Sequence, residues 1–251
     1  MAKAKQMKAT KRKRKNDILL GAIADDIAGA TDLCDILVGQ GMRTVLEIGV
    51  PRKGQTVRDA DAVAKTFAAV EQALGPVDVL VNNAGTSQMG AFETITDEVW
   101  QSDLELKLFA AIRLSRLAFP GMKTRKWGRI INVLNTGAKA PPAGGAPTSV
   151  SRAAGMALTK VLSKEGAPHN VLVNALCTGL LESDQHLQRF KRENTGQSWE
   201  DFKAEMGKRV PLGRIGDALE FANMACFLAS DAGSFISGTA INVDGGMCAV
   251  M

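Results

Sequence analysis

Short apolar runs alternate with helix-length segments from Ile18 to Val243, and this alternation leaves the chain few possible architectures. Ile18–Ala24 and Thr44–Val50 read as two strands, with Leu33, Ile36 and Leu37 continuing a helical pattern between them. Val77–Val81, Arg129–Leu134, Val171–Leu176 and Ala240–Val243 read as four more. The spacing predicts helices over Ala62–Leu74, from Thr96 through Trp100, Leu104, Leu108 and Ile112, over Ser151–Lys164, and over Asp217–Leu228. Val63, Phe67, Val70 and Leu74 fall on one side of the first of these. Thr96 and Asp97 stand where the second needs a cap. Strands separated by helices of this length are joined by right-handed crossovers, which build a mostly parallel sheet. The predicted class is α/β, doubly wound, with helices on both faces. Such sheets take ligands at the carboxyl ends of their strands.

Charge decides which partners to expect. The net charge of +5 is not spread over the chain: residues 1–15 carry eight of the 31 Lys and Arg and no acid. The remainder holds 23 basic and 26 acidic residues and is net −3. The basic character is thus confined to residues 1–16, read as a disordered, solvated tail. Lys11–Lys15 can touch phosphates or an anionic surface, and nucleic acid is not an expected partner beyond that tail. No apolar run of membrane-spanning length occurs, and no apolar h-region follows the basic start, so neither membrane nor secretion is expected. Cys34, Cys177, Cys226 and Cys248 are widely spaced, with no C-x-x-C pair. Neither a disulfide framework nor a metal site is expected, and a reduced cytoplasmic setting fits.

One series of motifs points further. Gly75–Gly85 ends a strand with Asn82-Asn83-Ala84-Gly85, where small and amide residues let a dinucleotide lie close to the backbone. Arg129–Val133, Val173-Asn174-Ala175, Pro211–Arg214, Phe227–Asp231 and Val243–Gly246 follow in order. This series resembles the short-chain dehydrogenase/reductase family from about residue 57 to residue 251. The resemblance implies a Rossmann-like sheet, NAD or NADP as cofactor, and hydride transfer to or from a small hydroxy or keto compound. It also implies a homo-oligomer, dimer or tetramer, packed through the helix around Thr148–Lys164 and the last strand. Ala153, Ala154, Gly155 and Ala157 are small enough for close helix approach.

The same resemblance exposes a departure. The family pairs a Tyr acid/base with a Lys four residues later, one helical turn away, and this chain has no tyrosine. The matching positions hold Thr148 and Arg152. The family's Ser, which binds the substrate oxygen, matches Asn135, and its Asn matches Lys107. A threonine hydroxyl is a weak proton donor near neutrality, and Arg152 holds its proton. Asn135 can donate a hydrogen bond to a carbonyl oxygen. Lys107 is the ionisable group that burial beside Arg152 would bring towards neutrality. Two readings stand: Lys107 replaces Tyr as the acid/base, or Lys107 and Arg152 are structural and the site does no redox chemistry. Asn82, Asn83, Ala84, Gly85, Arg152, Gly179 and Ser183 are the implied cofactor contacts, with Ser183 supplying a hydroxyl for the nicotinamide amide. Residues 182–209 are the implied substrate lid. His186 within it reads as a surface residue, and His169 as a structural turn residue.

The first half departs too. No T-G-x-x-x-G-x-G phosphate loop is present. Leu20–Asp32, Gly41–Val45 and Ile48–Pro51 resemble instead the start of the four-carbon sugar-acid kinases. The kinase's nucleotide-binding part is absent, so kinase activity is not expected. The expected organisation is a tail over 1–16, a kinase-like strand–helix–strand over 17–56, and a dehydrogenase-like core over 57–251, with the first half of the sheet atypical or incomplete. Asp25 and Asp26 would repel a pyrophosphate at the helix start. Three functions are compatible with this: an oxidoreductase with a non-standard site, a non-catalytic family member, or a fusion product without hydride-transfer activity.

Overall fold

The computed structural model describes residues 59–193 and 196–251, together with the backbone of two earlier strands. The basic tail, the Asp25–Asp32 loop and the junction before Asp59 lie outside the described residues.

Six strands form one parallel sheet in the order β2-β1-β3-β4-β5-β6. They are β1 (Leu19–Ala24), β2 (Arg43–Ile48), β3 (Val79–Asn82), β4 (Gly128–Asn135), β5 (Val171–Thr178) and β6 (Ala240–Val243). β1 pairs with β3 through Leu20↔Val79 to Ile23↔Asn82, so strands from residues 17–56 and from residues 57–251 share one sheet; nothing among the described residues marks the first of them as kinase-like. β2 forms its edge. The chain moves outward from β1 to β2 and then returns to the other side of β1, which places the switch point between β1 and β3.

Successive residues of the central strands face opposite layers. Leu80 and Ile130 pack with Val63 and Phe67 of α1 (Ala60–Leu74) and with Leu114, Ala118 and Met122 of α3 (Ala110–Arg125). Val79, Val81, Ile131 and Val133 pack on the other face against Phe221, Ala222, Ala225 and Leu228 of α7 (Ala218–Ala229). Strands covered on both sides can be apolar throughout, which is why their sequences read as runs rather than as alternations. Asp59 caps α1 by accepting from the backbone N–H groups of Asp61 and Ala62. Gly75 ends it with a φ of +95°, a conformation that suits glycine. At the start of α7, Asp217 and Glu220 form a reciprocal capping box.

The helix predicted from Thr96 to Ile112 is broken by one wide turn. α2 (Asp97–Leu104) passes into a π-helical turn over Glu105–Phe109 before α3 begins. The turn buries Leu106 and Lys107. A lysine facing the core did not show in the apolar periodicity, because that pattern tracks carbon side chains only. Thr96 does stand at the N-cap, but its side chain accepts no hydrogen bond from the helix backbone. α4 (Thr148–Gly166) begins three residues before the predicted start, so Thr148 sits in its first turn. The lid segment holds α5 (Asp184–Glu193) and α6 (Trp199–Gly207). α6 packs down through Phe202 and Met206 onto Ile215, with Phe190 and Trp199 against them. Among the described residues no helix is long and apolar enough to cross a membrane.

Candidate active site

The carboxyl ends of β3, β4 and β5 open into a cavity of about 690 Å³. β3 delivers Asn83 and Gly85 to its wall, β4 delivers Asn135, and β5 delivers Thr178 and Gly179. Thr148 and Arg152 enter from α4, and Ser183 and His186 from the lid side. Apolar lining comes from Met89, Leu181, Phe221 and Met247.

Two of the expected cofactor contacts lie elsewhere. Asn82 and Ala84 are buried and do not line the cavity. The Asn82 amide donates to Asn132 Oδ1 at 2.8 Å and to Ser115 Oγ at 3.4 Å. Asn132 in turn donates to Thr159 Oγ1 at 2.9 Å. In a parallel strand alternate residues face opposite layers, and Asn82 faces α3 and α4. Asn83, one residue on, faces the cavity. Of the pattern Asn-Asn-Ala-Gly, Asn83 and Gly85 line the cavity and Asn82 and Ala84 do not.

Two glycines stand at points of close approach, and at Gly179 the neighbour is backbone. A Cβ on Gly85 would collide with the Arg152 guanidinium, and one on Gly179 would lie 2.6 Å from Asp244 Cα. Arg152 donates from Nη1 to Val133 O at 2.7 Å. Its Nε and Asn135 Oδ1 are buried without a hydrogen-bond partner among the described residues. A buried polar atom without a partner is costly. Burial pushes the Arg152 pKa down to about 10, which leaves it charged at neutral pH.

Behind Thr148 lies a buried charged cluster. Lys107 Nζ donates to Thr148 Oγ1 at 2.7 Å and forms an ion pair with Asp103 Oδ1. The Thr148 hydroxyl also accepts from the Gln88 N–H at 2.9 Å and donates to Gln88 O at 2.7 Å. Ser151 donates to Asp103 Oδ2 at 2.6 Å. Both side chains of the ion pair are 1% exposed, so no water screens them. Desolvation pulls the Lys107 pKa down to about 8, although Asp103 opposes the fall; Arg152 adds to it. Lys107 does not line the cavity and reaches it only through Thr148. Sequence reasoning missed Asp103 and Ser151. The four-residue spacing of Asp103 and Lys107 was a legible signal, since it puts an acid and a base on one helix face.

On the lid side, His186 is half-buried. Its Nδ1 lies 2.8 Å from Leu181 O, which assigns the proton to that nitrogen, and burial lowers its pKa. His169 sits in the turn before β5, away from the cavity lining. Among the described residues no cluster of His, Cys, Asp and Glu is arranged to hold a metal ion.

Residues 49–248 match the family model described as enoyl-(acyl carrier protein) reductase. The chain is 32% identical to an acetoacetyl-CoA reductase of Shinella zoogloeoides, over 80% of each protein. It is 31% identical to a 3-oxoacyl-[acyl-carrier-protein] reductase of Aquifex aeolicus, over 90% of this chain and 91% of that one. Among solved structures, the NADPH-bound form of a short-chain oxidoreductase from Pseudomonas aeruginosa, described as containing an atypical catalytic centre, superposes with a TM-score of 0.81 at 27% identity. That match covers 94% of this chain and 99% of that one. The chain belongs to the short-chain dehydrogenase/reductase family of oxidoreductases.

Proposed function

We propose that this family member is an NAD(P)-linked reductase that interconverts a keto and a hydroxy group on a small substrate, with a replaced set of catalytic side chains. The single observation that carries the reading is the joined path from cavity to buried ammonium: Thr148 lines the cavity and Lys107 donates to it from behind at 2.7 Å.

The cavity wall fits a nicotinamide–ribose half. Arg152 Nε and Asn135 Oδ1 are unpartnered there, and Gly85 and Gly179 leave the wall free of side chain. Arg152 would hold the ribose hydroxyls, and Asn83, Gly85, Gly179 and Ser183 would border the ring and its amide. The bound cofactor supplies the hydride. Asn135 donates its amide hydrogen to the keto oxygen and draws charge onto it. The Thr148 hydroxyl passes a proton to that oxygen as it gains charge and takes one from Lys107 Nζ, which ends neutral. Lys107 is suited to this because its pKa of about 8 lies near the working pH.

The relatives' names supply the substrate class. Both act on 3-keto thioesters, and the apolar lining from Met89, Leu181 and Met247 suits a short acyl chain. NADPH is the form to test first, since the Pseudomonas protein was solved with it. A homo-oligomer is supported by Val150 and Val161 of α4, 50% and 54% exposed.

One observation favours a non-catalytic reading: the Thr148 hydroxyl already donates to Gln88 O, and Asp103 balances the charge on Lys107. The deciding experiment follows NADPH absorbance and tryptophan fluorescence with acetoacetyl-CoA as substrate. Saturable binding with stoichiometric formation of the 3-hydroxy product supports the reductase. Binding without turnover supports the non-catalytic member, and neither signal removes the cofactor from the account.

A further inference from the structure

We propose that Asp103 is a positioning residue of this site: it fixes the Lys107 ammonium behind Thr148, and Ser151 fixes Asp103 in turn. The proposal rests on the reading above, in which Lys107 is the proton source.

The geometry divides the carboxylate between two tasks. Oδ1 takes the Lys107 ammonium and stands 3.4 Å from the Thr148 hydroxyl, while Oδ2 accepts from Ser151 Oγ at 2.6 Å. Asp103 comes from α2, and Thr148 and Ser151 come from the first turn of α4, so the carboxylate joins two helices at the cavity's back wall. The π-helical turn begins two residues after Asp103 and carries Lys107 at its centre. Lys107 therefore sits on a locally irregular backbone, and side-chain partners must set its direction. Asp103 and Thr148 are those partners.

The charges around Lys107 are few. Asp103 faces it from its own helical run, Arg152 is the cation from α4, and Thr148 and Ser151 add hydroxyls. Arg152 and burial both favour the neutral amine, and Asp103 is the only anion among these groups holding the proton on it.

The test uses the full chain carrying lysine labelled with ¹³C at the ε position, with the Lys107 signal assigned from its loss in Lys107→Met. In Asp103→Asn the Lys107 titration should fall by about one pH unit or more. In Ser151→Ala it should fall in the same direction by less. The high-pH limb of keto reduction should move with it, with the rate recovered at low pH. A Lys107 titration unmoved in both variants overturns the proposal, as does a rate that falls equally at every pH. Should Asp103→Asn fail to fold, Ser151→Ala decides by the same readout. A shifted titration in a protein without turnover leaves Asp103 setting the Lys107 proton while the reductase reading fails. Turnover whose high-pH limb stays fixed in both variants keeps the reductase and overturns the positioning role.

Discussion

Two polar clusters are buried between the sheet and helices α2 to α4, and they differ in one property. The first is neutral: Asn82, Asn132, Ser115 and Thr159 join β3, β4, α3 and α4 through amide and hydroxyl hydrogen bonds. The second is charged: Asp103, Lys107, Thr148 and Ser151 join α2, the π-helical turn and α4. Both are almost free of water, with Asn132 and Asp103 each 2% exposed. The neutral cluster has no proton to release near neutral pH, and none of its side chains lines the cavity at the strand ends. The charged one holds an ammonium whose pKa has fallen to about 8 and reaches the cavity through Thr148. The contrast teaches that two equally buried polar clusters can differ in whether they hold a titratable proton with a route to the cavity.

The sharpest way to break the contrast is to remove the proton. Lys107→Met is expected to lower kcat for keto reduction by about 10²- to 10⁴-fold, the usual worth of a general acid, while cofactor affinity measured by fluorescence holds. A variant retaining full kcat would return Lys107 to the scaffold. Asn135→Ala is expected to cost about 10²-fold in kcat, since it removes one donor from the developing oxyanion. It should leave the pH profile in place, which separates polarisation from proton transfer.

The wild-type pH profile sharpens the comparison next. Lys107 must be protonated to donate, so keto reduction should fall about tenfold per unit as pH rises above about 8. Oxidation of the hydroxy compound should rise across the same window, because the neutral amine then accepts. The smallest effect belongs to the neutral cluster. Asn132→Ala leaves the Asn82 amide only its longer bond to Ser115 and should cost about 1–3 kcal/mol of stability, read as a lower Tm. The high-pH limb should not move; a shift would mean that the two clusters are coupled.

Much of the fold was readable in the residues. The apolar runs placed the four core strands to within two residues, because strands buried on both faces carry continuous carbon side chains. The positions of Asn135, Thr148, Arg152 and Lys107 were readable from motif order. Asp103 was not singled out, since an aspartate in an amphipathic helix ordinarily faces water. That the Asn82 side chain turns inward was not readable either, since only the strand's alternation sets which face it takes. His186 read as a surface residue, yet packing of the lid half-buries it against the cavity.

By itself the sequence determined the layered α/β sheet and the absence of the tyrosine on which the family's usual chemistry depends. These follow from periodicity and residue identity, which are local properties. Only the tertiary structure decided which charged groups stand behind Thr148. A lysine's proton affinity depends on how much water it has lost and which charges stand within a few ångströms of it. For Lys107 those charges are Asp103, one helical turn away, and Arg152, 45 residues along the chain but at the same wall of the cavity. Packing α2 against α4 brings them together, and no window of sequence contains that distance.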